Sequence, residues 1–405
     1  MPSDYPLLIT LGLLLILTPL IKSLLSRFAI PPLVGYILLG FLLRLLDQQW
    51  PFIDTLFDNT FTVLAHIGVV ALLFRVGLRS HIQTLIAKLP DASLIWVGDV
   101  LVNLVFGYIV ARYALSLSVE TAMVIATAFS ATSVAVSVAV WQDAGKLGSP
   151  QGQLLVDVAE LDDLSGIVLL AILLAILPVF QEDGATILPL VGAATGEVLI
   201  KLALFIAGCY LFSHYLEARF TRFSRKQEGS NTALTISILG AGLAIAAVAG
   251  SLGFSLAIGA LFAGLAFSRD KKAVHSDAGF SYFYELFTPF FFINIGLQVD
   301  PAALLESLGL GLLLFVVAVL GKLIGAGGPA LLTLSRRDAA LLGISMVPRA
   351  EIALVIISQC RQIGEGIVSN QIFAAMVLVS IATSISSSLV LHGMLGKKSE
   401  KKTKT

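Results

Sequence analysis

The sequence predicts an all-α polytopic membrane protein of thirteen transmembrane helices, and three observations predict it. Of 405 residues, 57% are hydrophobic and 13% charged, with a mean hydropathy of +0.94, which is outside the range of soluble globular chains. The apolar runs are about twenty residues long, the length of a helix crossing ~30 Å of hydrocarbon, whereas an outer-membrane barrel alternates over about ten residues per strand. The basic residues are also segregated. With the tail KKSEKKTKT placed in the cytoplasm and the N-terminus outside, nineteen of the 26 Lys and Arg residues lie inside, three outside and four within spans, as the positive-inside rule requires. One helix more or fewer would scramble that pattern.

The spans fall near 5–25, 29–46, 61–78, 92–115, 119–141, 152–180, 187–214, 231–249, 252–268, 280–298, 304–333, 338–360 and 370–394. Met1 to Pro6 holds no Lys or Arg and the run that follows is too long for a signal peptide, so the first span reads as a retained helix. The third span carries His66 and Arg75. His66 reads as a bonded packing residue, although imidazole suits proton handling. Arg75 either pairs with Asp157, Glu160 or Asp99 along an aqueous path, or snorkels toward the cytoplasmic interface beside Arg79. Cys209 and Cys360 lie in or at the end of apolar spans, which suggests neither a disulfide nor a metal cluster. Glu217 to Asn231 is the longest polar stretch, and the tail after Gly396 is too short and too charged to fold.

Chemistry concentrates in four spans. The sixth reads LLVDVAELDDLSGIVLLAILLAIL and keeps Asp157, Glu160, Asp162 and Asp163. An ionised acid at membrane depth costs at least ~2.5 kcal/mol, so the pair Asp162 and Asp163 reads as part of an ion or proton pathway. The fifth span is small and hydroxylated at Ser130-Ala131-Thr132-Ser133. Such residues serve either a broken helix whose free carbonyls coordinate an ion, or close helix packing. The twelfth contains Pro348, which removes a backbone donor and breaks the helix, followed at once by Arg349 and Glu351. Lys322 is the one charge of the eleventh span, flanked by glycines that permit close helix approach. At ~1.5 Å per residue, Lys322, Thr132, Asp163 and Pro348 all lie about 15–21 Å into their spans, near one midplane level. This is the layout of an ion site built from broken helices.

Assembled in order, IPPLVGYILLG (30–40), LAHIGVVALLFRVGL (64–78), ATSVAVSVAVWQDAGKLGSP (131–150), the Asp162-Asp163 pair, LGFSLAIGALFAGLAFS (252–268), TPFFFINIGL (288–297) and MVPRAEIALV (346–355) resemble the cation:proton antiporter-2 family. The resemblance is to its Na+/H+ antiporters of NapA type and their Kef-like relatives, and it runs over essentially the whole chain. It implies the inverted-repeat NhaA/NapA-like fold, in which the fifth and twelfth helices are discontinuous and cross beside the aspartates.

The resemblance also implies a homodimer. Its dimerisation part would be 1–90 (helices 1–3) with 229–300 (helices 8–10), and its ion-binding core 91–181 (helices 4–6) with 301–396 (helices 11–13). Helix 7, 182–228, would link them, and 397–405 would be a basic cytoplasmic tail. By the same analogy Asp163 binds the cation or proton, and Asp162 joins it as metal ligand and pairs with Lys322. The residues themselves offer Thr132 and Ser133 as further oxygens, and Lys322, Arg349, Glu351, Glu160 and Asp157 as a charge network, the last two making this helix more acidic than the family pattern. Arg349 matches the arginine of the family's PRGE-like stretch.

The expected activity is secondary exchange of a monovalent cation, Na+ first, for protons by elevator-type alternating access. No cofactor, enzymatic activity or nucleic acid is expected, and the setting is the cell (inner) membrane. One set of oxygens that holds a proton or a cation in turn suffices for exchange. If binding frees one proton from Asp163 and one from Lys322, transport is electrogenic; the alternative is one-for-one exchange with Lys322 paired throughout. The alternatives in substrate are a K+/H+ antiporter and a Kef-like K+ efflux system. Such systems usually carry a nucleotide-binding domain, for which the sequence offers no counterpart, and a Gln-Asp pair. An intramembrane aspartyl protease is the remote alternative, but its two acids would come from separate helices, whereas Asp162 and Asp163 are neighbours about 100° apart on one helix.

Overall fold

The computed structural model describes residues 4–80, 82–180, 187–228, 231–268 and 277–396, and these are helical almost throughout. The tail 397–405 and the basic loop residues Arg269, Lys271 and Lys272 lie outside the described residues. Along the chain come α1 (Asp4–Arg27), α2 (Pro32–Gln49), α3 (Thr55–Arg79), α4 (Ile82–Ile109), α5 (Val119–Ser130), α6 (Val134–Asp143), α7 (Pro150–Phe180), α8 (Ile187–Leu211), α9 (Glu217–Glu228), α10 (Asn231–Ser251) and α11 (Leu256–Phe267). The Phe291 helix (Asp277–Leu297), a short helix (Pro301–Glu306), the Lys322 helix (Leu308–Lys322), the Ser345 helix (Arg336–Ser345), the Glu351 helix (Glu351–Ile363) and a last helix (Asn370–Leu395) follow. Among the described residues nine helical segments are long and apolar enough to cross a membrane.

Starts are set by capping side chains, which satisfy amide groups that have no partner in the first turn. Asp54 accepts from Phe57 N at 2.8 Å, Ser118 from Thr121 N at 3.1 Å and Ser369 from Ile372 N at 3.3 Å. Two interruptions matter for the site. Helix stops at Ser130 and resumes at Val134, with Ala131 (φ −71°, ψ 146°) and Ser133 (φ −99°, ψ 90°) in extended conformations. It stops again after Ser345 and resumes at Glu351. There Pro348 lacks an amide hydrogen and pushes Val347 out of the helical region. The spans 119–141 and 338–360, expected to be discontinuous, are each two half-helices in the structure.

The chain divides into two compact units. Unit 1 comprises the chain up to Pro19, Tyr36–Ile86 and Ile167–Gln298. Within it α3 packs on α11 and on the Phe291 helix, and α10 packs on α11. Glycine makes the first of these crossings possible. A Cβ on Gly77 would collide with the Leu261 carbonyl, and one on Gly264 with the Phe74 carbonyl. Unit 2 comprises Leu20–Gly35, Ala87–Gly166 and the chain from Val299 onward. Here the Lys322 helix packs on the last helix, α5 on the Glu351 helix and α6 on the last helix. Every residue of the candidate site except Arg75 and His66 falls in unit 2.

Candidate ion-binding site

The interruption after Ser130 leaves the carbonyls at the end of α5 without intrahelical partners, at the negative end of a helix dipole. Two buried cations take them. Arg349, 1% exposed, donates through Nη1 to Phe129 O and, at 3.2 Å, to Ala131 O. Its Nη2 reaches Asn103 Oδ1 at 2.8 Å and Ala318 O at 3.2 Å, and the guanidinium lies over the Phe129 ring, 4.6 Å from the centroid. Lys322, 0% exposed, donates to Ser130 O at 2.8 Å. The second interruption is tied to the first, because Ser133 N donates to Pro348 O at 2.7 Å. Glu351 opens its half-helix, where a carboxylate matches the positive end of the dipole, and accepts from the Ser133 hydroxyl.

The two carboxylates on α7 differ in their contacts, as a separation of about 100° around the helix dictates. Asp162 Oδ2 accepts from the Thr132 hydroxyl and pairs with Lys322 Nζ at 3.1 Å. Asp163 is buried, and its Oδ1 has no hydrogen-bond partner; neither has Asp162 Oδ1. Asp162, Glu351, Glu160 and Lys322 all act on Asp163 electrostatically. Glu160 and Asp157, on the same helix, are half-buried. Among the described residues no three His, Cys, Asp or Glu side chains cluster as a resident metal site would need. An ion held here would therefore draw on few carboxylates and on hydroxyl and carbonyl oxygens, the donor set of transporter midplane sites.

The expected residues Asp162, Thr132 and Lys322 thus meet directly, Ser133 meets Glu351, and Arg349 braces the broken end of α5. Sequence reasoning missed Asn103 of α4 and named Asp99 of the same helix only as a possible partner of Arg75, not of Lys322. Lys322 Nζ pairs with Asp99 Oδ2 at 2.6 Å, and Asp99 is 0% exposed. Asn103 Nδ2 donates to Asp99 Oδ1 at 2.8 Å and to Asp99 O at 2.8 Å. The glycines beside Lys322 explain the approach: a Cβ on Gly325 would sit 3.1 Å from Asp99 Cα, and one on Gly321 would meet the Asn103 amide. An acid seven residues inside an apolar span with an amide at i+4 was the available signal. Arg75 and His66 belong to unit 1. Arg75 lies over the Tyr284 ring, 4.2 Å from its centroid, and His66 is half-buried.

The arrangement also bears on the protease alternative. An aspartyl dyad needs two acids free to share a proton, whereas Asp162 is engaged by Lys322 and Thr132.

Comparison with known proteins agrees. The chain is 27% identical over 404 residues to the Na(+)/H(+)-K(+) antiporter GerN of Bacillus cereus, covering 98% of each chain. It is 27% identical over 385 residues to a Na(+)/H(+) antiporter of Enterococcus hirae, covering 94% of this chain and 96% of that one. In fold it resembles the sodium proton antiporter MjNhaP1 of Methanocaldococcus jannaschii, with a TM-score of 0.65 at 16% identity, over 97% of this chain and 98% of that one. A family model described as "Sodium/hydrogen exchanger, transmembrane" matches residues 12–397, and the chain therefore belongs to the sodium/hydrogen exchanger family, a transporter and not an enzyme.

Proposed function

We propose that this antiporter exchanges a monovalent cation, Na+ first, for protons at Asp163. The observation that carries the reading is the contrast between the two adjacent aspartates. Asp162 is held by Lys322 and Thr132, while Asp163 Oδ1 is buried with no hydrogen-bond partner. A buried acceptor without a donor is costly, by about 1–3 kcal/mol, and a proton or a cation relieves that cost equally well. The two ligands exclude each other on one carboxylate, and exchange is tightly coupled if the loaded carrier alternates its opening and the empty, deprotonated one does not.

Asp162 and the hydroxyls of Thr132 and Ser133 complete the oxygen set, and Arg349 with Glu351 holds the half-helix ends that frame it. In this reading the chain has thirteen spans, with α5/α6 and the Ser345/Glu351 helices as the discontinuous pair that crosses beside the aspartates. The protein works as a homodimer in the inner membrane by elevator-type alternating access, its N-terminus outside and its C-terminus in the cytoplasm. The name of the Bacillus cereus relative includes K+, so K+ belongs in any test.

Purified protein in vesicles loaded with a pH-sensitive dye is expected to dissipate an imposed proton gradient on addition of Na+, with Li+ and K+ compared at equal concentration. Asp163→Asn is expected to abolish the response while the protein remains folded and dimeric by size-exclusion chromatography. Full exchange in that variant would remove Asp163 from the site.

A further inference from the structure

We propose that Asp99 is a positioning residue for cation exchange: it retains Lys322 whenever Asp162 leaves the lysine for the cation, and thereby sets the affinity for the cation. The inference deepens the function proposed above and rests on it.

An ammonium has three protons to donate, and those of Lys322 meet Asp99 Oδ2 at 2.6 Å, Ser130 O at 2.8 Å and Asp162 Oδ2 at 3.1 Å. The three partners are not equivalent. Asp99 is oriented from its own helix, because Asn103 Nδ2 donates to its other carboxylate oxygen at 2.8 Å. The same amide nitrogen reaches Gly321 O at 3.4 Å, next to Lys322 in sequence, so carboxylate and lysine are braced from both sides. Asp162 makes the longest of the three contacts, and its Oδ1 is buried without a partner. Of the two carboxylates, Asp162 is the one built to change partners.

The energetic consequence follows from burial. Lys322, Asp99 and Asp162 are all 0% exposed. Taking away the sole counter-charge of a buried ammonium leaves an uncompensated charge, which is strongly destabilising. With Asp99 in place, a cation that engages Asp162 does not strand Lys322. Without Asp99, Asp162 would be the lysine's one carboxylate, and the cation would compete against the full cost of separating them.

Asp99→Asn keeps the shape of the side chain and removes its charge. It is expected to raise the KM for Na+ by about tenfold or more, with a much smaller fall in turnover at saturating Na+. A merely structural role would lower the amount of active protein and leave KM in place. The thermodynamic cycle with Lys322→Gln tests the route of the effect. If Asp99 acts through the lysine, Asp99→Asn has no further effect once Lys322 is Gln, and the single K322Q and the double D99N/K322Q share the same Na+ affinity within about twofold.

Affinity is read twice, from exchange in vesicles and from stabilisation of the detergent-purified protein by Na+ in thermal unfolding, which needs no turnover. An unchanged KM in folded Asp99→Asn, or a severalfold difference between K322Q and D99N/K322Q, overturns the inference. Wild-type protein that exchanges no cation for protons in the same vesicles would instead overturn the function on which it rests.

Discussion

Arg349 makes its side-chain hydrogen bonds to the carbonyls of Phe129, Ala131 and Ala318 and to the Asn103 amide oxygen, none of them a carboxylate. The planar guanidinium suits that task, since its forked donors reach α5, α4 and the Lys322 helix at once while its face rests on Phe129. A lysine offers one point charge and cannot bridge the same acceptors. Arg349→Lys is expected to cost ~2 kcal/mol or more of stability, a lower thermal transition in detergent, because hydrogen bonds to a charged group contribute about 1.5–3 kcal/mol each. An unshifted transition would show that the carbonyls at the end of α5 do not depend on the fork.

At this scale the sequence was legible where chemistry was out of place. Asp162, Asp163, Lys322 and Arg349 each interrupt an apolar run, and a charge at depth needs an explanation. Asp99 interrupts one too, yet it was read only as one of three possible partners for Arg75. Sequence alone cannot rank partners on different helices, since the ranking depends on helix rotation and on how closely Gly321 and Gly325 let α4 approach.

Among elements, the interruptions were legible for different reasons. Pro348 breaks a helix by a covalent property of the residue, and the break is present at 346–350. The stretch Ala131–Ser133 has no such property; its residues permit a break and equally permit close packing, and it is the carbonyls the break frees, Ser130 O for Lys322 and Ala131 O for Arg349, that offset the lost helical bonds.

The glycine crossings of unit 1 belong to this scale as well. Because a Cβ on Gly264 meets backbone of α3, no side-chain rotation relieves it and the helices themselves must separate. Gly264→Ala is expected to destabilise the protein by about 1–3 kcal/mol, the usual cost of overpacking. Gly208→Ala, where nothing lies within 4 Å of the added carbon, is the matched control and is expected to leave the thermal transition in place. Equal transitions for the two variants would contradict the close crossing.

For the whole molecule, composition and the placement of Lys and Arg carried the reading of a polytopic helical membrane protein, because every backbone polar group in lipid must be satisfied within the helix. They carried less about where compact units begin and end. α1, α2, α4 and α7 are each divided between the two units, at Pro19/Leu20, Gly35/Tyr36, Ile86/Ala87 and Gly166/Ile167, and hydropathy has no term for a division inside a continuous helix.

Charge carried per cycle is also a property of the whole transporter, since the membrane potential acts on it with ~2.3 kcal/mol per elementary charge per 100 mV. Had Asp162 been the lysine's one partner, a cation arriving at the aspartates would displace a proton from Lys322 as well as from Asp163, and each cycle would move net charge. Asp99 alters that count. Its carboxylate lies 2.6 Å from Lys322 Nζ; if that pair holds while Asp162 turns to the cation, as proposed above, the ammonium keeps a buried counter-charge and one proton would leave for each cation bound. Exchange is therefore expected to be electroneutral. On a solid-supported membrane, a Na+ jump should produce no sustained charge displacement from protein that exchanges Na+ for H+ in vesicles. A current that scales with the exchange rate would show instead that Lys322 gives up its proton despite Asp99, and would restore the count of two protons per cation.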